Sequence, residues 1–164
     1  MPTATPNFGS PVTMTLSLAS LASDTNLLAG RESTVVDNGP SGDDAIDAII
    51  GGLITTGTSP TADRQIEVWA YGTWDGGSRY SHVCTGTDGN LTLVKKSLLR
   101  LVTIIPTSAT SNYGYQWGPV SMARVFDGIL PQKWGLWVVQ NTGVALNSTA
   151  GNHEVKYTPL KIES

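Results

Sequence analysis

Residues 64–74 read RQIEVWAYGTW, and this stretch decides the fold class. Ile66, Val68 and Ala70 alternate with Glu67, Trp69 and Tyr71, the period-2 pattern of a strand whose successive side chains point to opposite faces. Both sets carry apolar bulk, so the aromatic face needs a second layer of chain, or a partner, to cover it. The run stops at Asp75-Gly76-Gly77, where Asp-Gly takes the φ > 0 geometry of a tight hairpin turn.

On either side the chain repeats this design. Residues 12–18 set Met14, Leu16 and Leu18 against Thr13, Thr15 and Ser17. Further β-rich runs cover residues 32–37, 49–56, 79–86, 98–107, 117–125, 134–141 and 152–162. In the last of these Val155, Tyr157 and Pro159 point inward and Glu154, Lys156 and Thr158 outward. A second turn is expected at Thr87-Asp88-Gly89-Asn90. Eighteen glycines and nine prolines punctuate the runs, leaving two short candidate helices. These are residues 43–50, whose Asp-rich start suits a helix N-terminus, and residues 91–98, which read equally well as a strand. Many short strands with no long helix and no repeat predict an all-β fold, an antiparallel two-sheet sandwich of jelly-roll type. An up-and-down barrel is the rival. The expected organisation is an extended N-terminal arm, residues 1–11, and a single β-sandwich domain, residues 12–164.

The chain has 164 residues, net charge -3, 14% charged residues and one cysteine, Cys84. A chain of this size builds a core without staples, and a single cysteine forms no intrachain disulfide. The low charge leaves the surface to Thr, Ser, Asn, Gly and apolar groups, which suits protein contact. Lys95-Lys96 is too small a basic cluster for phosphate neutralisation, so no nucleic acid is expected as a partner. No apolar run approaches the ~20 residues of a membrane helix, so no membrane is expected either. The opening MPTATPNFGSPV lacks the basic and apolar regions of a secretory signal, which predicts synthesis in the cytoplasm.

Catalytic chemistry finds little footing. His82 and Cys84 lie two apart in a candidate strand, and a thiol beside an imidazole is a known nucleophile pair; a lone cysteine in a strand is also a small core hydrophobe, and that is the reading adopted. No G-x-S-x-G elbow surrounds a serine. Asp43, Asp44 and Asp47 offer carboxylates to a hard cation but miss the EF-hand spacing. Asn90-Leu91-Thr92 and Asn147-Ser148-Thr149 match the glycosylation sequon and read as turns. Gly51-Gly52 and Gly76-Gly77 lack the spacing of a phosphate loop. Trp69, Trp74, Trp117, Trp134 and Trp137 fit either a sugar-stacking platform or core and interface anchors. The chain is therefore expected not to be an enzyme, and no catalytic residue, cofactor or metal is assigned.

Four phrases carry a resemblance: SLASDTNLLAGREST (residues 20–34), TGTSPTADRQIEVWAYGTWDG (56–76), LPQKWGLWVVQNTGVALN (130–147) and GNHEVKYTPLKI (151–162). Together they resemble small virion structural proteins of tailed bacteriophages. The resemblance implies a jelly-roll-like particle component with no enzymatic residues to carry over. A chain of this length without a coiled-coil, collagen-like or β-helical repeat is unlike a complete fibre. A capsid decoration, or cement, protein fits better.

That reading names the major capsid protein and further copies of the chain, as homodimer or homotrimer, as the partners, and the capsid exterior as the location. A tail or fibre-tip module binding a host-surface glycan is the alternative. Interface candidates are Pro2, Thr3, Pro6 and Phe8 in the arm, and Pro60, Trp74, Tyr80, Phe126 and Trp134 in or beside the loops at residues 58–63, 74–80 and 126–133.

Overall fold

In the computed structural model, residues 5–39, 42 and 44–163 are described. In chain order they form β1 (Thr5–Phe8), β2 (Val12–Thr13), β3 (Ala29–Glu32), β4 (Val36–Asp37), β5 (Asp47–Thr55), β6 (Arg64–Gly72), β7 (Gly89–Thr92), β8 (Arg100–Thr107), β9 (Gly114–Ser121), a one-turn helix α1 (Met122–Val125), β10 (Lys133–Gln140) and β11 (Glu154–Glu163). Single 3₁₀ turns lie at Lys96–Leu98 and Ala150–Asn152.

Two sheets result. In the first, β1 and β2 lie along one side of β11, followed by β5 and β9; in the second the order is β7, β3, β10, β6, β8, with β4 also on β10. Each pairing in both sheets is antiparallel. The chain is an all-β, two-sheet antiparallel sandwich, which replaces the barrel alternative: the sheets end in separate edge strands and do not close on one another.

The alternation seen in the sequence sets the core. Ile66, Val68 and Ala70 of β6, with Trp134, Leu136 and Val138 of β10, point between the sheets and meet Ile50 and Ile54 of β5 and Val155 and Tyr157 of β11. Met14, Leu18 and Leu21 close one side of this layer. Trp134 stands edge-on to Tyr157 at 5.4 Å between ring centroids.

The opposite face of the second sheet is covered as well. Tyr71, Trp137 and Val139 pack beneath Cys84, Leu93 and Leu99 in a second apolar cluster. The covering layer is the excursion 73–99 between β6 and β8, so the aromatic face of residues 64–74 is roofed by the chain itself. Glycine makes this possible at one cross-strand pair: Gly135 faces Tyr71, and a Cβ there would collide with the Tyr71 ring. The ring lies over the bare backbone, and its hydroxyl donates to Ser33 O at 2.7 Å.

Three local expectations are corrected. Of the candidate helix at residues 43–50, residues 44–50 are not helical; from Asp47 they are strand β5, and the Asp47 carboxylate instead accepts from Ser121 Oγ (2.6 Å) and Ala123 N (2.7 Å), capping α1 from across the sheet. Residues 79–86 are not a strand but part of the covering excursion, and their one β-bridge is Thr73–Tyr80; His82 there has φ 56°. Residues 91–98 divide between β7 and a 3₁₀ turn.

From Thr5 the N-terminal arm is not free. Thr5–Phe8 pairs with Glu163–Leu160, yet all four β1 residues stay exposed. Prolines mark the outer strands. Pro6 lies in β1 and Pro119 in β9. In β8, Pro106 pairs with Gln65, whose N–H and C=O bond toward Asn141, so the Pro106 nitrogen faces the open side.

Candidate interaction surfaces

The interface candidates separate sharply. Phe8 is 61% and Trp74 71% exposed, and Pro6 is exposed beside Phe8 on β1. Trp134 is 0% exposed and belongs to the core, because β10 is central and covered on both faces. Pro60 is buried as well. Tyr80 is half-buried, edge-on to Tyr71 at 5.7 Å, and Phe126 is half-buried against the main core. These four are structural rather than displayed. Pro2 and Thr3 lie outside the described residues.

Exposed apolar side chains collect on both broad faces. On the outer face of the first sheet, Pro6 sits opposite Ile162 and Phe8 opposite Leu160. Farther along, the outward residues of β11 are Thr158, Lys156 and Glu154, with Lys156 Nζ 2.6 Å from Glu154 Oε1. A shallow depression of about 530 Å³ lies over Gly51, lined by Ile49, Leu53, Pro119 and Lys156. On the second sheet, the roof leaves β8 partly open: Leu101 and Ile104 are 44% and 46% exposed, near Leu98 (59%) and Val94 (70%).

Beside this strip lies the best-satisfied polar cluster of the molecule. Glu67 is 3% exposed, yet its carboxylate receives Lys96 Nζ (2.6 and 2.9 Å), Trp69 Nε1 (2.8 Å) and Gln65 Nε2 (2.5 Å). Lys96 also sits 5.6 Å from the centre of the Trp69 ring.

A second polar group surrounds a cavity of about 410 Å³ between residues 17–24 and β3 and β7. Arg31 donates from Nε (2.7 Å) and Nη2 (3.0 Å) to the two oxygens of Asp88, and Ser17 Oγ donates to Asp88 at 2.6 Å. Burial pushes the Asp88 carboxyl up, but the hydrogen bonds from Arg31 and Ser17 outweigh it and hold the group below the usual carboxylate range. No aromatic side chain lines this cavity.

The remaining chemical candidates are occupied by structure. His82 Nε2 accepts from Val94 N at 3.0 Å, orienting the roof. Burial first, then the charge of Glu32, pushes the Cys84 thiol up to about 12, which leaves almost no thiolate near neutrality. Asp47 serves α1, Asp43 lies outside the described residues, and among the described residues no three His, Cys, Asp or Glu side chains gather to hold a metal. Asn147 organises a turn, accepting from Thr149 N and Asn152 Nδ2 at 2.9 Å each.

The five tryptophans build no shared platform. Trp134 and Trp137 are 0% exposed, Trp117 is 9%, and Trp69 is held by Glu67, leaving Trp74 displayed alone. The sequence missed Leu101, Ile104, Leu160 and Ile162 as surface groups: the register shift opposite Val68/Trp69 breaks the period of β8, and local alternation does not tell which face the chain itself covers.

No family model, no curated protein and no solved structure matches this chain.

Proposed function

We propose that the chain is a virion structural protein of the tailed-bacteriophage kind, a cement protein that binds the major capsid shell and associates with further copies of itself. The observation that carries this reading is the presence of apolar patches on opposite broad faces of one sandwich, in a molecule with only 14% charged residues. A bridging component needs two such faces, and many copies acting together need only modest area each. The strand order supports the jelly-roll form of the fold. Strands β1/β2, β11, β5 and β9 in one sheet, and β3/β4, β10, β6 and β8 in the other, alternate along the chain as in two Greek keys.

The strip at Leu98, Leu101 and Ile104 is assigned to the shell. Purified chain mixed with expanded capsids of the phage that carries it should co-sediment with them. A Leu101→Glu/Ile104→Glu variant that folds normally should lose most of that binding. Absence of binding by the unaltered chain would overturn the reading.

Trp74, displayed at 71%, favours the alternative of a tail or fibre-tip module. Glycan-array signal that disappears with Trp74→Ala would establish it in place of the cement role.

A further inference from the structure

We infer that the outer face of the first sheet is the contact between two copies of this chain, centred on the cross-strand pairs Phe8–Leu160 and Pro6–Ile162. The inference rests on the assembly reading above and names the surface through which copies meet.

Strand β1 gives the first argument. Its four residues are ordered by pairing with β11, and all four side chains are exposed. Fixing a backbone residue costs about 1–2 kcal/mol of entropy, and this strand returns no core burial within its own molecule. Its outward side chains, Pro6 and Phe8, join Leu160 and Ile162 in one apolar patch, with Phe8 61% and Ile162 47% exposed. The second sheet hides its matching face beneath residues 73–99; among the described residues the first has no such roof.

Charge and area identify the occupant. The outward charges of β11 over Glu154–Ile162 are Glu154 and Lys156, paired at 2.6 Å and summing to zero. The neighbouring strand adds Asp47 opposite Leu160, whose carboxylate accepts from Ser121 Oγ at 2.6 Å and Ala123 N at 2.7 Å, so the charges of this face are paired or hydrogen-bonded within the molecule and repel a second copy only weakly. With β1 and β2, β11, β5 and β9 at four, two, ten, nine and eight residues, ~3.4 Å per residue and ~4.8 Å between strands, the face measures roughly 540 Å². That is about two-thirds of the ~800 Å² per partner of a standard stable interface. Edge-to-edge pairing is the other route to a sheet-based dimer; Pro6, Pro106 and Pro119 obstruct it at β1, β8 and β9, and the remaining edge, β7, is only four residues long.

Analytical ultracentrifugation of the full chain tests this. The unaltered protein should be dimeric at micromolar concentration. Phe8→Glu/Ile162→Glu, at surface positions that leave the fold and melting temperature intact, should weaken dimerisation at least ~30-fold. Glu154→Lys should weaken it by about tenfold by making the face doubly positive, and Glu154→Lys/Lys156→Glu should restore it to within about threefold. A chain that stays monomeric at ~200 µM, above the range of specific dimers, overturns the inference; so does a dimer indifferent to Phe8 and Ile162. A monomer that still coats capsids sinks this surface and leaves the cement role standing. A dimer that ignores capsids does the reverse.

Discussion

Lys96 Nζ lies 2.6 Å from Glu67 Oε2 and joins the covering excursion to the sheet it roofs. Glu67 sits at mid-strand in β6, and Lys96 in the 3₁₀ turn just before β8. The side chains are 4% and 27% exposed, so this pair, like Arg31–Asp88, is shielded from solvent, unlike the pairs Arg100–Asp127, Lys133–Asp37 and Lys156–Glu154. The roof over Tyr71 and Trp137 is therefore pinned at its far end by one cation.

Lys96→Met should destabilise the fold by about 2–3 kcal/mol, because a buried carboxylate keeps only the Gln65 and Trp69 donors. Glu67→Gln/Lys96→Met should cost less than the two single changes added together. Urea unfolding of the four proteins yields the coupling directly.

Trp134 and Trp74 should behave oppositely. Trp134→Ala empties a fully buried site and should cost about 3–5 kcal/mol, whereas Trp74→Ala should stay within about 0.5 kcal/mol of the unaltered chain. Trp134→Phe should be milder than Trp134→Ala, since a phenyl ring leaves a smaller cavity, and both changes remove a buried indole N–H that has no hydrogen-bond partner. Thermal melts distinguish the three.

Acid should weaken the tie between β3 and the loop at Asp88. The folded Asp88 carboxyl titrates below its unfolded value. Its contribution is thus complete above about pH 3.9 and disappears as pH falls through the lower, folded value. Asp88→Asn should be less stable than the unaltered chain at pH 6, with the gap closing at low pH. A gap that does not change with pH would contradict the assignment.

Cys84 should resist modification. With its thiol pushed up to about 12 and its side chain under the roof, a thiol reagent at pH 7.5 should react only as fast as the roof opens. Lys96→Met should accelerate that labelling, which connects the pin to the layer it holds.

Much of the sandwich was legible because a half-buried strand prints its faces at period 2. Residues 64–72 and 154–159 have inner faces where the alternation places them. Trp134 was misassigned for a physical reason: KWGLWVVQ alternates in a strand buried on both faces, and the near-continuous apolar run, not the tryptophan, carried that information. The Asp-rich signal at residues 43–47 was sound chemistry applied to the wrong helix. Asp47 does cap an N-terminus, but that of α1, 76 residues away, and no local rule reveals a long-range partner. The roof was invisible because residues 79–86 look like a strand, and only the positive φ at His82 and its bond to Val94 divert them over the sheet.

The prolines of the outer strands carry a consequence for life at high density. On the proposed particle, crowded copies would face each other at concentrations where open sheets recruit neighbours without limit and end as fibres. A missing N–H at Pro106, with ring atoms at Pro6 and Pro119, interrupts such a ladder at three of the four sheet edges, so it does not propagate from sheet to sheet. Contact between copies through the proposed face would be confined to a finite area, and growth would stop at a defined stoichiometry.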